Sequence, residues 1–230
     1  MNNLIDVIIL SYTKTNKEYM MTTNCINSIK NNNIKTNIIL IETESKFKNE
    51  KIYDVNTIIY PGVNFNYNKF INIGLKQSKN EYVLVTNNDI IYTDNCLSIL
   101  KQKLDEKYDS VSPLDLITNK IIKNTGDQEG YDVGKIVTGW SIMFKKNILK
   151  QIGDFDERFS FWYQDNDYSN WLKKCNLKHA LITNAHIYHL CSQSHRLLEN
   201  NELYEKTHGL TKIFEEKWKD WNKVEPFNIQ

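Results

Sequence analysis

The chain has 230 residues, a length that fits one α/β domain with a sizeable core. Apolar residues make up 40% and charged residues 25% of the chain, ordinary globular values that exclude a disordered chain and a fibrous repeat. The 29 Lys and Arg nearly balance the 28 Asp and Glu, which excludes the basic excess typical of proteins that coat DNA.

The 4 cysteines stand far apart without a C-x-x-C pair, which argues against a zinc site and a disulfide framework. The N-terminal apolar run, residues 4–10, contains Asp6 and lacks a basic leader, so it is neither a signal peptide nor a membrane span. No other segment is long enough to cross a bilayer. We expect a cytoplasmic protein; attachment to the periphery of a membrane stays open, as does a viral gene, because the composition suggests AT-rich coding.

The first half of the chain alternates short β-rich runs with helical patterns, which is typical of βαβ units in a mostly parallel sheet. The predicted strands cover residues 4–10, 36–42, 55–60 and 81–86. The predicted helices cover residues 19–30 and 68–78. Pro61-Gly62 is a strong turn signal after the third strand.

The second half begins with a predicted helix over residues 95–108 and an extended segment over 109–114. Residues 114–135 are turn-rich and are predicted to be a surface excursion. The remaining predictions are a β-rich stretch over 135–146, a short helix ending at Gly153, a helix over 165–175, a strand over 178–183 and an amphipathic helix over 210–221. No repeat or linker indicates a second independent domain.

Polar clusters follow three of the predicted strands, at residues 11–13, 42–44 and 87–89. Ligands bind outside the carboxyl ends of an open parallel sheet, so we expect these clusters to lie together. In Asn87-Asn88-Asp89 a carboxylate stands beside two amides, a donor set that suits Mg²⁺ or Mn²⁺ carrying a phosphate. The alternative is an asparagine-rich turn that caps the helix starting near Thr93.

Residues 153–174, GDFDERFSFWYQDNDYSNWLKK, combine acidic side chains with a dense aromatic run. Asp165 and Asp167 lie in the first turn of a predicted helix, where the helix dipole favours carboxylates, and this explains at least one of them. Aromatic side chains beside a carboxylate exclude water and stack on a flat sugar face. The carboxylate, placed near a substrate hydroxyl, acts there as a general base.

Three histidines, His186, His189 and His195, follow the last predicted strand in the stretch HIYHLCSQSH. His186 and His189 are three residues apart, and an extended segment would point them to opposite faces, which argues against a two-histidine zinc site. One of the three could complete another metal site, and a structural or exposed role is the alternative for each.

In chain order these segments resemble the GT-A-fold glycosyltransferases of family 2, particularly the rhamnosyltransferase-like branch. The third matching segment, NFNYNKFINIG, follows an N-x-G-F-x-x-x-x-N-x-G pattern. The others are IILSY, IILIETES, VTNNDI, GWSIMFKK, GDFDERFSFWYQDND and HLCSQS. The resemblance covers residues 4 to about 195 and implies one α/β domain over 1–230 with a mostly parallel central sheet flanked by helices. It divides into a nucleotide-sugar half (1–110), an acceptor and catalytic half (111–196) and a C-terminal helical appendage (197–230).

The resemblance implies an inverting, metal-dependent glycosyltransferase of the hexosyltransferase type that uses a nucleoside-diphosphate sugar, with a UDP-sugar as the favoured donor. Asp165 is implied as the catalytic base, and Asp89 and His189 as ligands of Mn²⁺ or Mg²⁺. The implied donor-binding residues are Ser11, Tyr12, Glu42, Asn68, Asn88, Asp89 and Trp140. The implied acceptor-side residues are Trp162, Tyr163 and Gln164.

Several positions depart from the family pattern. The aspartate motif is Asn-Asn-Asp, so only Asp89 can supply a carboxylate to a metal. Gln164 replaces the usual glutamate before the base, which makes Asp167 the fallback base. Asn66 replaces a glycine and tolerates a positive φ.

Two other functions compete with the transferase. One is a catalytically degenerate GT-A domain that binds glycans or a partner protein, and the retention of Asp89 and Asp165 argues against it. The other is a sugar nucleotidyltransferase, and the absence of glycine from SYTKTNKEY after the first strand argues against that. The favoured acceptor is a saccharide; a protein side chain and a hydroxymethylated nucleobase in DNA stay open.

Overall fold

The computed structural model describes residues 4–45, 53–118, 126–190 and 209–229. The strands in these ranges are β1 (Leu4–Ser11), β2 (Lys35–Glu42), β3 (Thr57–Ile59), β4 (Tyr82–Asn87), β5 (Ile90–Tyr92), β6 (Ser110–Asp115), β7 (Gln128–Glu129), β8 (Ser141–Lys145) and β9 (His179–His189). The helices are α1 (Asn16–Lys30), α2 (Tyr67–Gln77), α3 (Cys96–Glu106), α4 (Leu149–Ile152), α5 (Gln164–Lys174) and α6 (Gly209–Trp218), with 3₁₀ turns at Lys146–Ile148 and Trp221–Lys223.

One sheet runs through the described part of the chain in the order β3-β2-β1-β4-β8-β6-β9-β5, and β7 pairs with β9. The pairings among β3, β2, β1 and β4 are parallel. Beyond β4 the sheet is mixed, because β8 is antiparallel to both β4 and β6 while β6 and β9 are parallel. The predicted α/β class, with one central sheet flanked by helices, is confirmed.

The core lies on both faces of the central strands. In β1, Ile5, Val7 and Ile9 belong to the cluster that includes α1 and α3, whereas Ile8 and Leu10 belong to the cluster that includes α2 and α5. All residues from Ile5 to Ser11 are buried, which explains the nearly continuous apolar run. Because β1 is packed on both faces, the position at which it ends relative to its neighbouring strands is fixed.

Two helix starts are set by their caps. The Thr15 side chain accepts the Glu18 N–H while Glu18 reaches back to the cap, so α1 begins at Asn16 rather than at the predicted residue 19. Asn66 caps α2 by accepting the Lys69 N–H, and its φ is −147°, so the conformation that a glycine would allow is not used here.

Gly74 lets α2 approach β1 closely. A Cβ on Gly74 would stand 2.6 Å from Ile8 Cγ2, a distance that the packing does not allow. The glycine therefore fixes how near the α2 helix lies to the centre of the sheet.

The largest difference from the sequence prediction concerns β9. It extends to His189 rather than ending at residue 183, because it pairs with β6 along its length and with β5 at its end. The short strand β5, which follows directly after Asp89, was not predicted. The polar residues and histidines in these segments interrupt the apolar pattern from which a strand is predicted.

Several smaller differences appear around the middle of the chain. Regular β structure in the predicted stretch 135–146 starts only at Ser141. The predicted surface excursion starts after β6, since Leu114 and Asp115 are buried in that strand, and residues 119–125 of it lie outside the described ranges. Within the described ranges, no helix is both long enough and apolar enough to cross a membrane.

Candidate active site

The three polar clusters predicted to meet at one sheet edge do lie on neighbouring strands. Ser11 at the end of β1 is paired with Glu42 at the end of β2, and Leu10 is paired with Asn87 at the end of β4. This convergence follows from the parallel order β2-β1-β4 and needs no loop rearrangement.

Hydroxyl and amide groups join two of these strand ends. Ser11 Oγ lies 3.0 Å from Thr22 Oγ1 on α1 and 3.2 Å from Thr13 Oγ1. Asn88 Nδ2 donates to the same Thr22 hydroxyl at 2.9 Å. The side chain of Asn88 is therefore held toward Ser11, whose Oγ lies 3.5 Å from Asn88 Nδ2.

Glu42 is buried and is held by its neighbours. Its Oε1 accepts the backbone N–H groups of Thr13 at 3.0 Å and Glu44 at 2.9 Å. The Tyr53 hydroxyl lies 2.5 Å from Thr13 Oγ1 and 3.4 Å from Glu42 Oε2, and burial raises the pKa of Tyr53 to about 12. By contrast, Tyr12 is 42% exposed, and Lys14 Nζ lies over its ring, 4.3 Å from the centroid.

Asp89 and His189 form the second part of the site. Asp89 is only 7% exposed, and its Oδ1 accepts no hydrogen bond from the described residues. His189 Nε2 lies 3.4 Å from that oxygen, because Ile90 and His189 are partners in the β5–β9 ladder. The Trp140 ring stacks on His189 with centroids 5.0 Å apart and fixes the plane of the imidazole.

This pair fits part of a cation site. A buried carboxylate oxygen without a donor, facing an imidazole nitrogen, is a ligand pair that a divalent cation would complete. The described residues contain no group of three His, Cys, Asp or Glu side chains that could hold a metal by themselves. His186 Nε2 lies instead 2.9 Å from the Thr183 carbonyl oxygen, and His195 falls outside the described residues.

Asp165 lies in the first turn of α5 and packs against Gly139. A Cβ on Gly139 would stand 2.8 Å from both Cβ and Oδ2 of Asp165, so only glycine allows this approach. Burial raises the pKa of Asp165, opposed by the Asn166 N–H that donates to Oδ1 at 3.0 Å. A carboxylate in this environment binds a proton more tightly than an exposed aspartate does.

Tyr67 lies near both carboxylates and was not predicted to be a site residue. Its hydroxyl lies 3.0 Å from the Gly139 carbonyl oxygen and 3.2 Å from Asn87 Oδ1. Burial raises the pKa of Tyr67, and the charges of Asp165 and Asp89 raise it further, so both acids are near its ring. The available signal was the third motif, where this tyrosine replaces the phenylalanine of the pattern.

The turn formed by Gly139 and Trp140 connects the parts of the site. Asn87 donates its N–H to the Trp140 carbonyl oxygen at 2.9 Å, which ties the turn to the end of β4. His189 stacks on Trp140, and Asp165 packs on Gly139. The Asp89–His189 pair and the Asp165 carboxylate are thus held by adjacent residues of one turn.

The predicted acceptor-side residues lie just before Asp165 in the chain. Trp162 is 45% exposed, and Gln164 Oε1 is buried without a partner among the described residues. The Tyr163 hydroxyl lies 2.9 Å from Thr211 Oγ1 on α6, so this side chain is directed to the C-terminal helix.

Two predicted site residues, Asp167 and Asn68, form hydrogen bonds outside the strand-end network. Asp167, the fallback base, is engaged by Lys217 at 2.8 Å and by the Trp218 indole N–H at 2.8 Å. Asn68, a predicted donor contact, donates to the Asp156 carbonyl oxygen at 2.8 Å and has no hydrogen bond to the strand-end network among the described residues. Both side chains are used to hold the segment around α5.

Solved structures resemble the fold of this chain. A mannosyltransferase, PcManGT from Pyrobaculum calidifontis in complex with GDP-Man and Mn²⁺, aligns with a TM-score of 0.62 at 12% identity over 83% of this chain and 57% of that one. GalNAc-T7 with UDP, GalNAc and Mn²⁺ aligns with a TM-score of 0.69 at 10% identity over 95% and 49%. S. aureus TarS 1-349 aligns with a TM-score of 0.58 at 15% identity over 79% and 59%.

These likenesses support the GT-A fold class, and this chain spans only about half the length of the solved chains. No curated protein sequence matches the chain. The family model described as Glycosyl transferase family 2 matches residues 6–154, well over half of the sequence and the part that contains Ser11, Glu42, Asp89 and Trp140. The chain therefore belongs to glycosyl transferase family 2.

Proposed function

We propose that this chain is an inverting glycosyltransferase that moves a sugar from a nucleoside-diphosphate sugar to an acceptor hydroxyl. One observation carries the proposal: the part-buried Asp165 carboxylate and the Asp89–His189 pair are held by adjacent residues, Gly139 and Trp140, beside the polar strand ends. Family membership supports it, as do two similar folds whose solved complexes contain Mn²⁺ with GDP-Man or UDP.

Asp165 is the proposed general base. It accepts the proton of the acceptor hydroxyl while that oxygen forms a bond to the anomeric carbon and the bond from that carbon to the diphosphate breaks. A single displacement of this kind inverts the anomeric carbon and needs only one base. The raised pKa of Asp165 suits this role, because it strengthens the attraction of the carboxylate for the proton.

Asp89 and His189 are the proposed protein ligands of a divalent cation, Mn²⁺ or Mg²⁺. The buried Asp89 Oδ1 without a hydrogen bond is the observation that supports this assignment. When bound, the cation neutralises negative charge on the leaving diphosphate. The role of Trp140 is to hold the His189 ring in one orientation.

The strand-end network is the proposed donor pocket. Ser11, Glu42 and Asn88 offer a hydroxyl, a carboxylate and an amide at adjacent strand ends, which suits the hydroxyl and base edges of a nucleoside. The Tyr12 ring, 42% exposed and with Lys14 Nζ 4.3 Å from its centroid, is the proposed stacking surface for the base. A UDP-sugar is the favoured donor, and Asn68 contributes to this pocket only through the segment it holds.

A saccharide is the proposed acceptor. Trp162 is exposed three residues before Asp165, and an exposed indole beside a base offers a stacking surface for the apolar face of a sugar ring. A protein hydroxyl and a hydroxymethylated nucleobase are the alternatives that acceptor identification by mass spectrometry would distinguish.

The test is a donor screen that measures release of UDP, GDP or dTDP from nucleotide sugars with Mn²⁺ and with EDTA. Asp165→Asn is expected to lower transfer by about 10²–10⁴-fold, the usual contribution of a general base, while nucleotide binding is kept. Asp94→Asn, at an exposed position, is the matched control. An Asp165→Asn enzyme with wild-type transfer would refute the base assignment.

Asp89→Ala separates the metal site from the base. It is expected to weaken the binding of nucleotide in the presence of Mn²⁺, measured by calorimetry, and to leave the affinity for nucleotide without Mn²⁺ unchanged. If the wild-type protein binds glycans but releases no nucleotide from any donor, the binding-module hypothesis replaces the transferase.

A further inference from the structure

The C-terminal helix α6 contacts the chain on both sides of Asp165. It reaches Tyr163, two residues before Asp165, and Asp167, two residues after it. The family model ends at residue 154, so this arrangement lies beyond the part of the chain that it matches.

Lys217 of α6 makes the contact on the Asp167 side. Its Nζ lies 2.8 Å from Asp167 Oδ1 and 2.9 Å from Asp156 Oδ2, and its side chain is only 5% exposed. The neighbouring Trp218 donates its indole N–H to Asp167 Oδ1 at 2.8 Å. Buried charges of this kind are held in one geometry, because breaking the pair leaves an uncompensated charge.

The contact on the other side involves a strained residue. Tyr163 has a φ of +65°, a conformation that aromatic residues rarely adopt and that persists only where surrounding contacts hold it. Its hydroxyl lies 2.9 Å from Thr211 Oγ1, and its ring stacks on Phe214 with centroids 4.9 Å apart. Both partners belong to α6.

The contacts between α6 and the first turn of α5 are polar and directional, which indicates that they position this turn and do more than fill space. Apolar side chains of similar volume would fill the same space, and replacing a buried ion pair by such residues is often neutral for stability. Hydrogen bonds and the ion pair act instead at Tyr163 and Asp167, two residues before and two after Asp165. They restrict how the first turn of α5 can shift or rotate. Asp165 needs such restriction, because it packs so closely on Gly139 that a Cβ there would overlap it.

We propose that α6 is the positioning element of the catalytic base, acting through Lys217 and Phe214 on the first turn of α5. The inference rests on the proposed role of Asp165 as the base. Lys217 and Phe214 are positioning residues, since they act through Asp167 and Tyr163.

The first test measures amide hydrogen exchange by NMR in the full-length chain. The Asn166 and Asp167 N–H groups report on this turn, because they donate to Asp165 Oδ1 and to the Tyr163 carbonyl oxygen. The double variant Lys217→Met with Asp167→Asn removes the ion pair, and Asp156 keeps Arg158, whose Nη2 lies 2.6 Å from its Oδ2. We expect at least about 10-fold faster exchange at these two amides and unchanged exchange in β1.

Phe214→Leu tests the Tyr163 contact without altering charge, and it should give the same local increase in exchange. Lys212→Met is the matched control, because Lys212 lies on the same helix with its side chain 83% exposed. Wild-type exchange at the amides of residues 166 and 167 in both test variants would overturn the proposal. So would an equal increase in β1, which would indicate general destabilisation.

Kinetics provide the second readout. With the donor found by the screen, both test variants should lower kcat by at least about 10-fold and leave the donor KM unchanged, the pattern of a misplaced base. An unchanged kcat would contradict the positioning role. If the wild-type protein shows no turnover, the proposed transferase fails, whereas the exchange data still decide whether α6 holds the turn.

Discussion

Replacing Gly139 by alanine tests whether Asp165 must pack against the Gly139–Trp140 turn. The new Cβ would stand 2.8 Å from Cβ and Oδ2 of Asp165 and 3.1 Å from its Cγ. Ordinary contact begins at 3.4 Å, so the carboxylate or the turn must shift by about 0.6 Å, the difference between 3.4 and 2.8. Gly139 has no positive φ, so alanine itself brings no backbone strain.

The size of the effect follows from this shift. A misplacement of about 1 Å at a reacting group costs roughly 10²-fold in rate, so about 0.6 Å predicts a loss of about 10-fold in kcat. That loss corresponds to about 1.4 kcal/mol of activation free energy. Overpacking should also lower the free energy of unfolding by about 1–3 kcal/mol.

Two other glycines provide the controls. A Cβ on Gly209 meets no atom of the described residues within 4 Å, so Gly209→Ala should change neither kcat nor Tm. A Cβ on Gly74 would stand 2.6 Å from Ile8 Cγ2, so Gly74→Ala should lower Tm without touching the site.

The assay combines nucleotide release at saturating donor with a thermal unfolding scan, and kcat is expressed per folded molecule. Wild-type kcat in Gly139→Ala would refute the placement of Asp165 as the base. A kcat that falls only as far as in a Gly74→Ala protein of equal Tm would refute it as well, since stability alone would then explain the loss.

Three further outcomes are expected. Tyr67→Phe removes a hydroxyl 3.2 Å from Asn87 Oδ1 and should lower the free energy of unfolding by about 1–2 kcal/mol in urea titrations; an unchanged midpoint would contradict its bridging role. Because burial raises the pKa of Asp165 and the base must be ionised, kcat should fall as pH decreases through a value above about 3.9; a pH profile with its acid limb at or below that value would argue against this base. Gly153→Ala should lower Tm without weakening nucleotide binding, since φ is +76° and a Cβ would stand 2.5 Å from the Phe227 carbonyl oxygen; an unaltered Tm would be inconsistent with this packing.

The parallel half of the fold and the grouping of its strand ends could be predicted from the sequence. Alternating apolar runs and helical patterns identify βαβ units, and parallel strands in such units must end on one edge. Ser11, Glu42 and Asn87 therefore meet where the pattern placed them. No long-range information was needed, because each step depends on local periodicity and on one topological rule.

The second half of the sheet was harder to predict from the sequence. The extension of β9 to His189 and the short strand β5 depend on their pairing with each other, and pairing between segments about a hundred residues apart leaves no local pattern. The bridging position of Tyr67 is of the same kind, since its partners come from β4 and from the turn before β8.

By itself, the sequence determined the α/β class and the candidate acids Asp89, Asp165 and Asp167, because motif order and strand periodicity are local properties of the chain. The family pattern ranked Asp165 above Asp167, but only the tertiary structure supplied a physical difference between them. Lys217, 50 residues away in sequence, takes Asp167 into a buried ion pair, whereas Asp165 packs against Gly139. Burial raises the pKa of both carboxyls, so the ion pair is what separates them. Two aspartates in one helical turn look alike in sequence, and their chemistry differs because distant residues set the charge and burial around each.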